Sequence, residues 1–133
     1  MILVDSTVWI DLLRGQRSAP VAMLERLLEL GEAAVTPVIV QELLQGASSP
    51  NSLARLRTHF LALPLLDPKP GAVTHADAGE LYARCRWAGI TPRSPHDCLI
   101  ATLALQHGVP LLHDDKDFEA IASIEHRLIL TRG

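Results

Sequence analysis

Four acidic residues occupy positions where a carboxylate could take part in chemistry: Asp5, Glu42, Asp97 and Asp115. Several carboxylates gathered in a dry site cannot all stay ionised without a compensating cation. Oxygen ligands of this kind favour hard divalent ions such as Mg²⁺ or Mn²⁺. An ion of that type can polarise a phosphoryl oxygen, lower the pKa of water and hold the attacking and leaving oxygens of an in-line displacement. If the fold brings the four residues together, the chemistry they serve best is phosphodiester hydrolysis.

The elements that must position these residues alternate between strand and helix. The first apolar run, residues 2–4, lacks polar alternation, which is typical of a central parallel strand covered on both faces. Asp5 then lies at the carboxyl end of this strand, where open α/β sheets place their ligand crevice. Thr36 followed by Pro37 is a helix start signal. We predict further strands at residues 33–35, 65–66, 109–112 and 127–130, and helices at residues 8–15, 21–30, 38–45, 53–63, 73–87, 95–107 and 118–123. This alternation predicts a mainly parallel sheet with helices on both faces and strand ends along one edge.

Each acidic residue also has a purely structural interpretation. Asp5 or Ser6 could cap the first helix, and Asp97 lies three residues after Ser94, as in a capping box. Glu42 could point outward from its amphipathic helix. These structural interpretations are independent of one another, so four acids at one edge of one sheet would require four coincidences. The pattern therefore favours a shared site.

Length and composition indicate one soluble domain over residues 1–133. Apolar residues make up 48% of the chain, enough for a sizeable core. The net charge of −3 argues against binding of nucleic acid by bulk positive charge, so any such contact must be local or metal-assisted. Cys85 and Cys98 show no metal-ligand spacing and are expected to be reduced thiols. With no apolar run long enough for a membrane span and no targeting signal, we expect a cytoplasmic protein.

Four sequence segments carry a family resemblance: VDSTVWIDLL, PVIVQELLQG, SPHDCLIATLA and HDDKDF, in this order along the chain. Together they resemble the PIN domain of the VapC toxin type, and the resemblance covers essentially the whole chain. It implies a three-layer α/β/α fold with a central, mainly parallel sheet of four or five strands. It also implies a Mg²⁺- or Mn²⁺-dependent endoribonuclease, often acting on structured RNA such as tRNA. The family's partner is a VapB-like antitoxin, and its members are usually homodimers.

The resemblance assigns roles to individual residues. Asp5, Glu42, Asp97 and Asp115 correspond to the family's acidic metal-binding set. Thr7 corresponds to a hydroxyl that helps to hold water at the metal, and Asp117 to an additional acid before the phenylalanine. We expect Ser6 to support the same carboxylates.

His113 departs from the family pattern, since many relatives have Thr or Ser two residues before the final acid. Its imidazole could donate to a carboxylate, pack at the end of a strand or contact RNA. A ligand role is disfavoured because imidazole is unusual around Mg²⁺.

The basic residues available to hold an RNA backbone are Arg14, Arg17, Arg84, Arg86, Arg93 and Lys116. Arg93 and Lys116 rank first because they are close in sequence to Asp97 and Asp115. Arg84 and Arg86 also have a simpler role, since positive charge at the end of a helix is favourable by itself.

The mechanism we hypothesise has Asp5 and Asp97 anchoring a metal ion, with Glu42 and Asp115 completing its shell directly or through water. Water then attacks the phosphate in line, which leaves a 5′-phosphate and a 3′-hydroxyl. The alternative is a non-catalytic PIN-fold module for RNA binding or dimerisation, in which the acids hold a structural ion. The apolar segment from Leu24 to Leu44 could form a dimer or antitoxin surface, or belong to the core.

Overall fold

A four-stranded parallel sheet lies at the centre of the fold. The computed structural model describes all residues from 1 to 133. Its strands are β1 (Ile2–Val4), β2 (Ala33–Ala34), β3 (Leu111–Leu112) and β4 (Leu130–Thr131), in the spatial order β2-β1-β3-β4. Leu3 of β1 pairs with Ala34 on one side and with Leu111 on the other. An isolated parallel bridge between Val35 and Leu65 adds a fifth strand position beside β2.

Seven helices connect the strands: α1 (Ser6–Leu13), α2 (Ala19–Leu30), α3 (Pro37–Gln45), α4 (Pro50–Leu61), α5 (Val73–Trp87), α6 (Pro95–His107) and α7 (Lys116–Ile124). The chain leaves β1 towards β2 and later returns across β1 to β3. Because parallel crossovers are right-handed, these two connections lie on opposite faces of the sheet. The strand order therefore reverses between β1 and β3, and in open α/β sheets such a switch point opens a crevice at the carboxyl ends of the strands.

The core is packed around the two central strands. Leu3, Val4, Leu111 and Leu112 are fully buried. Trp9 of α1 meets Phe60 of α4 edge-to-face, with ring centroids 5.1 Å apart, and its Nε1 donates to the Val4 carbonyl over 3.1 Å. The indole thus ties α1 to the end of β1.

Helix α6 is buried on nearly all sides, as its apolar sequence predicts. Ile100, Ala101, Leu103 and Ala104 are all buried. Cys98 of α6 and Cys85 of α5 are free thiols in the interior, in agreement with the prediction. None of the helices combines the length and the apolar character needed to cross a membrane.

Several predicted boundaries were wrong. Helix α1 begins at Ser6, not Val8, because Asp5 caps it. The last strand is Leu130–Thr131 because the Glu125 side chain accepts hydrogen bonds from the backbone and guanidinium of Arg127, which holds that segment in a turn. The predicted strand at 65–66 is reduced to the single bridge at Leu65.

The helix start at Thr36 is also only partly as predicted. Thr36 occupies the N-cap position of α3, but its hydroxyl makes no capping hydrogen bond and is buried without a partner.

Candidate active site

Asp5 directly follows β1, and Asp115 follows β3 after His113 and Asp114, so both acids lie beyond the carboxyl ends of adjacent strands. The Asp5 N–H donates to the Leu112 carbonyl over 2.9 Å, which continues the strand pairing up to the acid. Each of the two aspartates caps the helix that follows it. The Asp5 carboxylate accepts from the Thr7 N–H at 3.2 Å, and that of Asp115 accepts from the Asp117 N–H at 2.9 Å. Capping and a place at the crevice are therefore compatible roles for both residues.

Thr7 fixes the orientation of the Asp5 carboxylate. Its hydroxyl donates to Oδ2 of Asp5 over 2.6 Å, and its backbone N–H donates to the same oxygen. Burial raises the pKa of Asp5, and the hydrogen bonds from Thr7 partly oppose that effect because they stabilise the charged form.

Asp97 enters the same crevice from the first turn of α6. The capping-box interpretation of Asp97 is wrong, because Ser94 caps α6 by accepting from the His96 N–H and the Asp97 carboxylate forms no hydrogen bond within the protein. Oxygen atoms of Asp97, Asp115 and Asp117 all lie within 4.8 Å of one another. We call these three residues the acidic trio.

The charges around Asp97 explain its strongly shifted pKa. Asp97 is only 8% exposed, and burial is the largest cause that raises its pKa, to about 7. The negative charges of Asp5, Asp115, Asp117 and Glu42 raise it further. Five carboxylates therefore interact across one crevice, which is unfavourable without a cation.

Glu42 faces this crevice rather than the solvent. Its Oε1 atom is buried and has no hydrogen-bond partner, while its Oε2 lies 3.7 Å from Nδ1 of His96. Burial is the main cause that raises the Glu42 pKa, followed by the charge of Asp5, whereas His96 and the Ser6 hydroxyl lower it. The outward orientation considered from the sequence is thus wrong.

Arg93 binds the acidic trio directly. Its Nη2 lies 3.0 Å from Oδ1 of Asp115 and its Nε lies 3.1 Å from Oδ2 of Asp117. The sequence analysis suggested Arg93 as an RNA contact and did not predict these ion pairs. Their only sequence signal is that Arg93 lies four residues before Asp97, in the loop that leads into α6.

The other three predicted RNA contacts, Lys116, Arg14 and Arg86, are exposed basic residues on three different helices or helix ends. Lys116 is exposed in the first turn of α7, directly after Asp115. Arg14 is the exposed C-cap of α1, and Arg86 is exposed near the end of α5. Each of the three is free of ion pairs, whereas Arg84 binds the buried Glu125 over 3.1 Å.

His113 is buried behind the acidic trio, with 1% of its surface exposed. Its Nδ1 lies 3.0 Å from the carbonyl oxygen and 3.2 Å from the backbone nitrogen of Asp115, and its ring packs edge-on against Phe118. His113 is therefore a packed residue at the end of β3, and its ring nitrogen contacts the backbone of Asp115. Burial lowers the His113 pKa and so favours the neutral ring.

This donor set fits a divalent cation. It supplies carboxylate oxygens from the end of β1 and from α3, α6 and α7, and one of these oxygens is buried without a partner. It also includes the carboxyl of Asp97, whose pKa is raised by burial and by like charges. Hard cations such as Mg²⁺ and Mn²⁺ prefer oxygen ligands of this kind. Asp117 belongs to the tightest group, although the sequence suggested only a supporting role for it. Asp5 and Glu42 lie outside that group but within electrostatic reach of it.

Comparison with known proteins extends these observations. A family model described as PIN domain matches residues 2–124. Ribonuclease VapC11 of Mycobacterium tuberculosis and VapC ribonuclease Mb1587 of Mycobacterium bovis are each 38% identical to this chain over 126 residues, covering 93% of the chain and 93% of each relative.

Solved structures show the same fold. VapBC2 from Rickettsia felis, bound to a DNA fragment from its promoter, includes a chain that matches with a TM-score of 0.74 and 21% identity, covering 98% of both chains. DNA-bound VapBC from Salmonella typhimurium matches with a TM-score of 0.75 and 21% identity over 98% of this chain and 96% of its own. The three-layer α/β/α arrangement predicted from the sequence is confirmed.

Proposed function

Because the chain belongs to the PIN-domain family and is a relative of the VapC ribonucleases, we propose that it is a divalent-metal-dependent endoribonuclease, the toxin of a type II toxin–antitoxin pair. The observation that carries this proposal is the acidic trio at the switch point of the sheet, with Asp5 and Glu42 beside it. Five interacting carboxylates around one crevice destabilise the fold unless a cation binds, so they support a metal site.

Asp97, Asp115, Asp5 and Glu42 would hold the metal, with Asp117 and Ser6 supporting them. A bound divalent cation supplies positive charge against the scissile phosphate and lowers the pKa of water. The Thr7 hydroxyl holds Oδ2 of Asp5 in one orientation. The free Oε1 of Glu42 can accept a hydrogen bond from an attacking water. Since water rather than the ribose 2′-hydroxyl attacks, the products are a 5′-phosphate and a 3′-hydroxyl.

The proposed substrate is a structured RNA, with tRNA as the first candidate. We propose a VapB-like antitoxin as the partner, because the structural neighbours are toxin–antitoxin complexes. We also propose that the toxin is cytoplasmic and forms a homodimer. Light scattering of the purified chain tests the oligomeric state.

The test of the activity is incubation of the purified chain with total tRNA in Mg²⁺, in Mn²⁺ and in EDTA, followed by mapping of the fragment ends. We expect discrete fragments with 5′-phosphates in either metal and none in EDTA. The Asp97→Asn variant should be inactive. Asp114→Asn is the matched control, because Asp114 lies next to the acidic trio but is paired with Arg132 over 2.7 Å.

Two results would contradict the proposal. Cleavage in EDTA with cyclic phosphate ends would exclude the carboxylate mechanism. Binding of RNA and of divalent metal without cleavage of tRNA, rRNA or mRNA would favour the alternative, a non-catalytic module with a structural ion.

A further inference from the structure

A groove runs beside the crevice between helices α1, α3 and α4. Its volume is about 650 Å³, which is in the range of ligand pockets. Ile10, Leu43 and Leu56 contribute apolar surface to it, and Arg14, Arg55 and His59 contribute basic side chains. We call this feature the lateral groove.

The lateral groove and the acidic crevice share one residue, Glu42. Glu42 lines the groove and also interacts electrostatically with Asp5 and Asp97. A strand that lies in the groove therefore contacts Glu42, which is one of the five interacting carboxylates. On α4 the lining residues are Ser52, Arg55, Leu56 and His59, a spacing that places all four on one face of the helix.

The charges of the lateral groove suit a polyanion. Arg14 and Arg55 are exposed and are in no ion pair, and only one carboxylate, Glu42, lines the groove with them. By contrast, the arginines Arg84, Arg93, Arg127 and Arg132 are all bound to acidic side chains. The groove thus offers uncompensated positive charge in a chain whose net charge is −3.

On the Asp115 side of the crevice, acidic side chains outnumber basic ones. A smaller depression beside Asp115 is lined by three carboxylates and two cations: Asp114, Asp115, Glu119, Lys116 and Arg132. Arg132 is bound to Asp114 there, and its second nitrogen lies 3.9 Å from Glu119. A polyanion that reaches the acidic trio is therefore held better on the side of the lateral groove.

We propose that the lateral groove holds the RNA strand next to the scissile phosphate, with Arg14 and Arg55 contacting backbone phosphates. This inference rests on the proposed endoribonuclease function and names the surface that positions its substrate. Ion pairs with phosphates position a nucleic acid without reading its sequence, so these arginines determine affinity rather than specificity. Ser48 and Ser52 add hydroxyl groups that can donate to phosphate or ribose oxygens.

The experiment measures RNA binding separately from cleavage. Fluorescence anisotropy with labelled tRNA and a single-stranded oligoribonucleotide is recorded in an Asp97→Asn background. Arg14→Gln and Arg55→Gln should each weaken binding several-fold, and together about tenfold or more near 0.1 M salt. Each lost phosphate contact should also reduce the slope of log affinity against log salt by about 0.7. In the otherwise unchanged chain, the double variant should raise KM while leaving kcat at saturation nearly the same.

Arg57→Gln is the matched control, because Arg57 is exposed on the same helix but does not line the groove. It should leave the affinity nearly unchanged. Circular dichroism and thermal unfolding must show that all variants fold.

The outcomes separate this inference from the proposed function. If the groove variants cleave RNA with unchanged KM and salt slope, the groove proposal is wrong and the nuclease proposal stands. If the chain cleaves nothing but the variants still lose RNA affinity, the nuclease proposal fails and the groove proposal stands. If the variants bind RNA normally but lose a co-purified antitoxin, the groove is a protein-docking site and the proposal is overturned.

Discussion

The backbone N–H and the guanidinium Nε of Arg93 both donate to one oxygen atom, Oδ2 of Asp117, each over 3.1 Å. A second guanidinium nitrogen, Nη2, donates to Asp115 over 3.0 Å. Arg93 therefore supplies part of the positive charge that the acidic trio needs. Because its side chain is 78% exposed, solvent screens the ion pairs and a small cation can replace them.

We expect Arg93→Gln to raise the affinity of the chain for Mn²⁺ by a few-fold, because it removes a competing cation from the proposed ligand Asp115 and from the supporting acid Asp117. Titration of Mn²⁺ followed by electron paramagnetic resonance measures this directly, without RNA. Arg132→Gln is the matched control, since Arg132 pairs with Asp114 outside the acidic trio. An unchanged or weaker Mn²⁺ affinity in Arg93→Gln would show that the arginine does not compete with metal.

Neutralising Asp97 should stabilise the chain when no metal is present. The pKa of Asp97 is raised to about 7, so at pH 8 its charge opposes folding. We expect Asp97→Asn to raise the metal-free unfolding free energy at pH 8 by about 1–2 kcal/mol. The stabilisation by added Mn²⁺ should be much smaller in the variant. Urea unfolding with and without Mn²⁺ measures both effects, and a loss of metal-free stability would contradict the like-charge argument.

The hydroxyl of Thr7 should matter through Asp5. It donates to Oδ2 of Asp5 over 2.6 Å, and loss of such a supporting bond typically costs about 10- to 100-fold in metal affinity or activity. We expect a loss of that size in Thr7→Val, which keeps the shape, and near-normal behaviour in Thr7→Ser, which keeps the hydroxyl. The readouts are Mn²⁺ affinity and the rate of RNA cleavage. Equal behaviour of the two variants would mean that the hydroxyl has no positioning role.

Much of this arrangement could be predicted from the sequence because it depends on local patterns. The apolar run Ile2–Val4 and the buried helix Pro95–His107 are readable from periodicity and burial. The position of Asp5 at the end of a central strand follows from the first of these. The parallel sheet follows from the alternation of strands with helices.

The remaining features depend on contacts between distant segments, which no local pattern encodes. The ion pairs of Arg93 with Asp115 and Asp117 span more than twenty residues of sequence. Glu42 is turned inward because α3 packs beside α1 and α6. For the same reason, the sequence left two roles open for Asp97, one in helix capping and one in the site. In the structure its carboxylate is buried and forms no hydrogen bond, which excludes the capping role.

The buried carboxylate of Glu125 should give the fold a distinct sensitivity to acid. Hydrogen bonds from Arg127 are the main cause that lowers its pKa to about 2, with Arg84 contributing further. A carboxylate with a lowered pKa contributes stability above its ordinary pKa, near 4.5, and loses it as the pH falls through about 2. Because Arg127 is 80% exposed, we discount this contribution for screening to about 1–2 kcal/mol.

Glu125→Gln should therefore be less stable than the parent chain at pH 6, and the difference should shrink as the pH falls from 4.5 towards 2. Urea unfolding across this range gives the difference in unfolding free energy between the two proteins. Asp97 is present in both, so its opposite pH dependence cancels in that difference. Glu29→Gln is the control, because Glu29 is exposed on α2 and forms no ion pair. A stability difference that does not change with pH would mean that Glu125 acts through packing rather than through its charge.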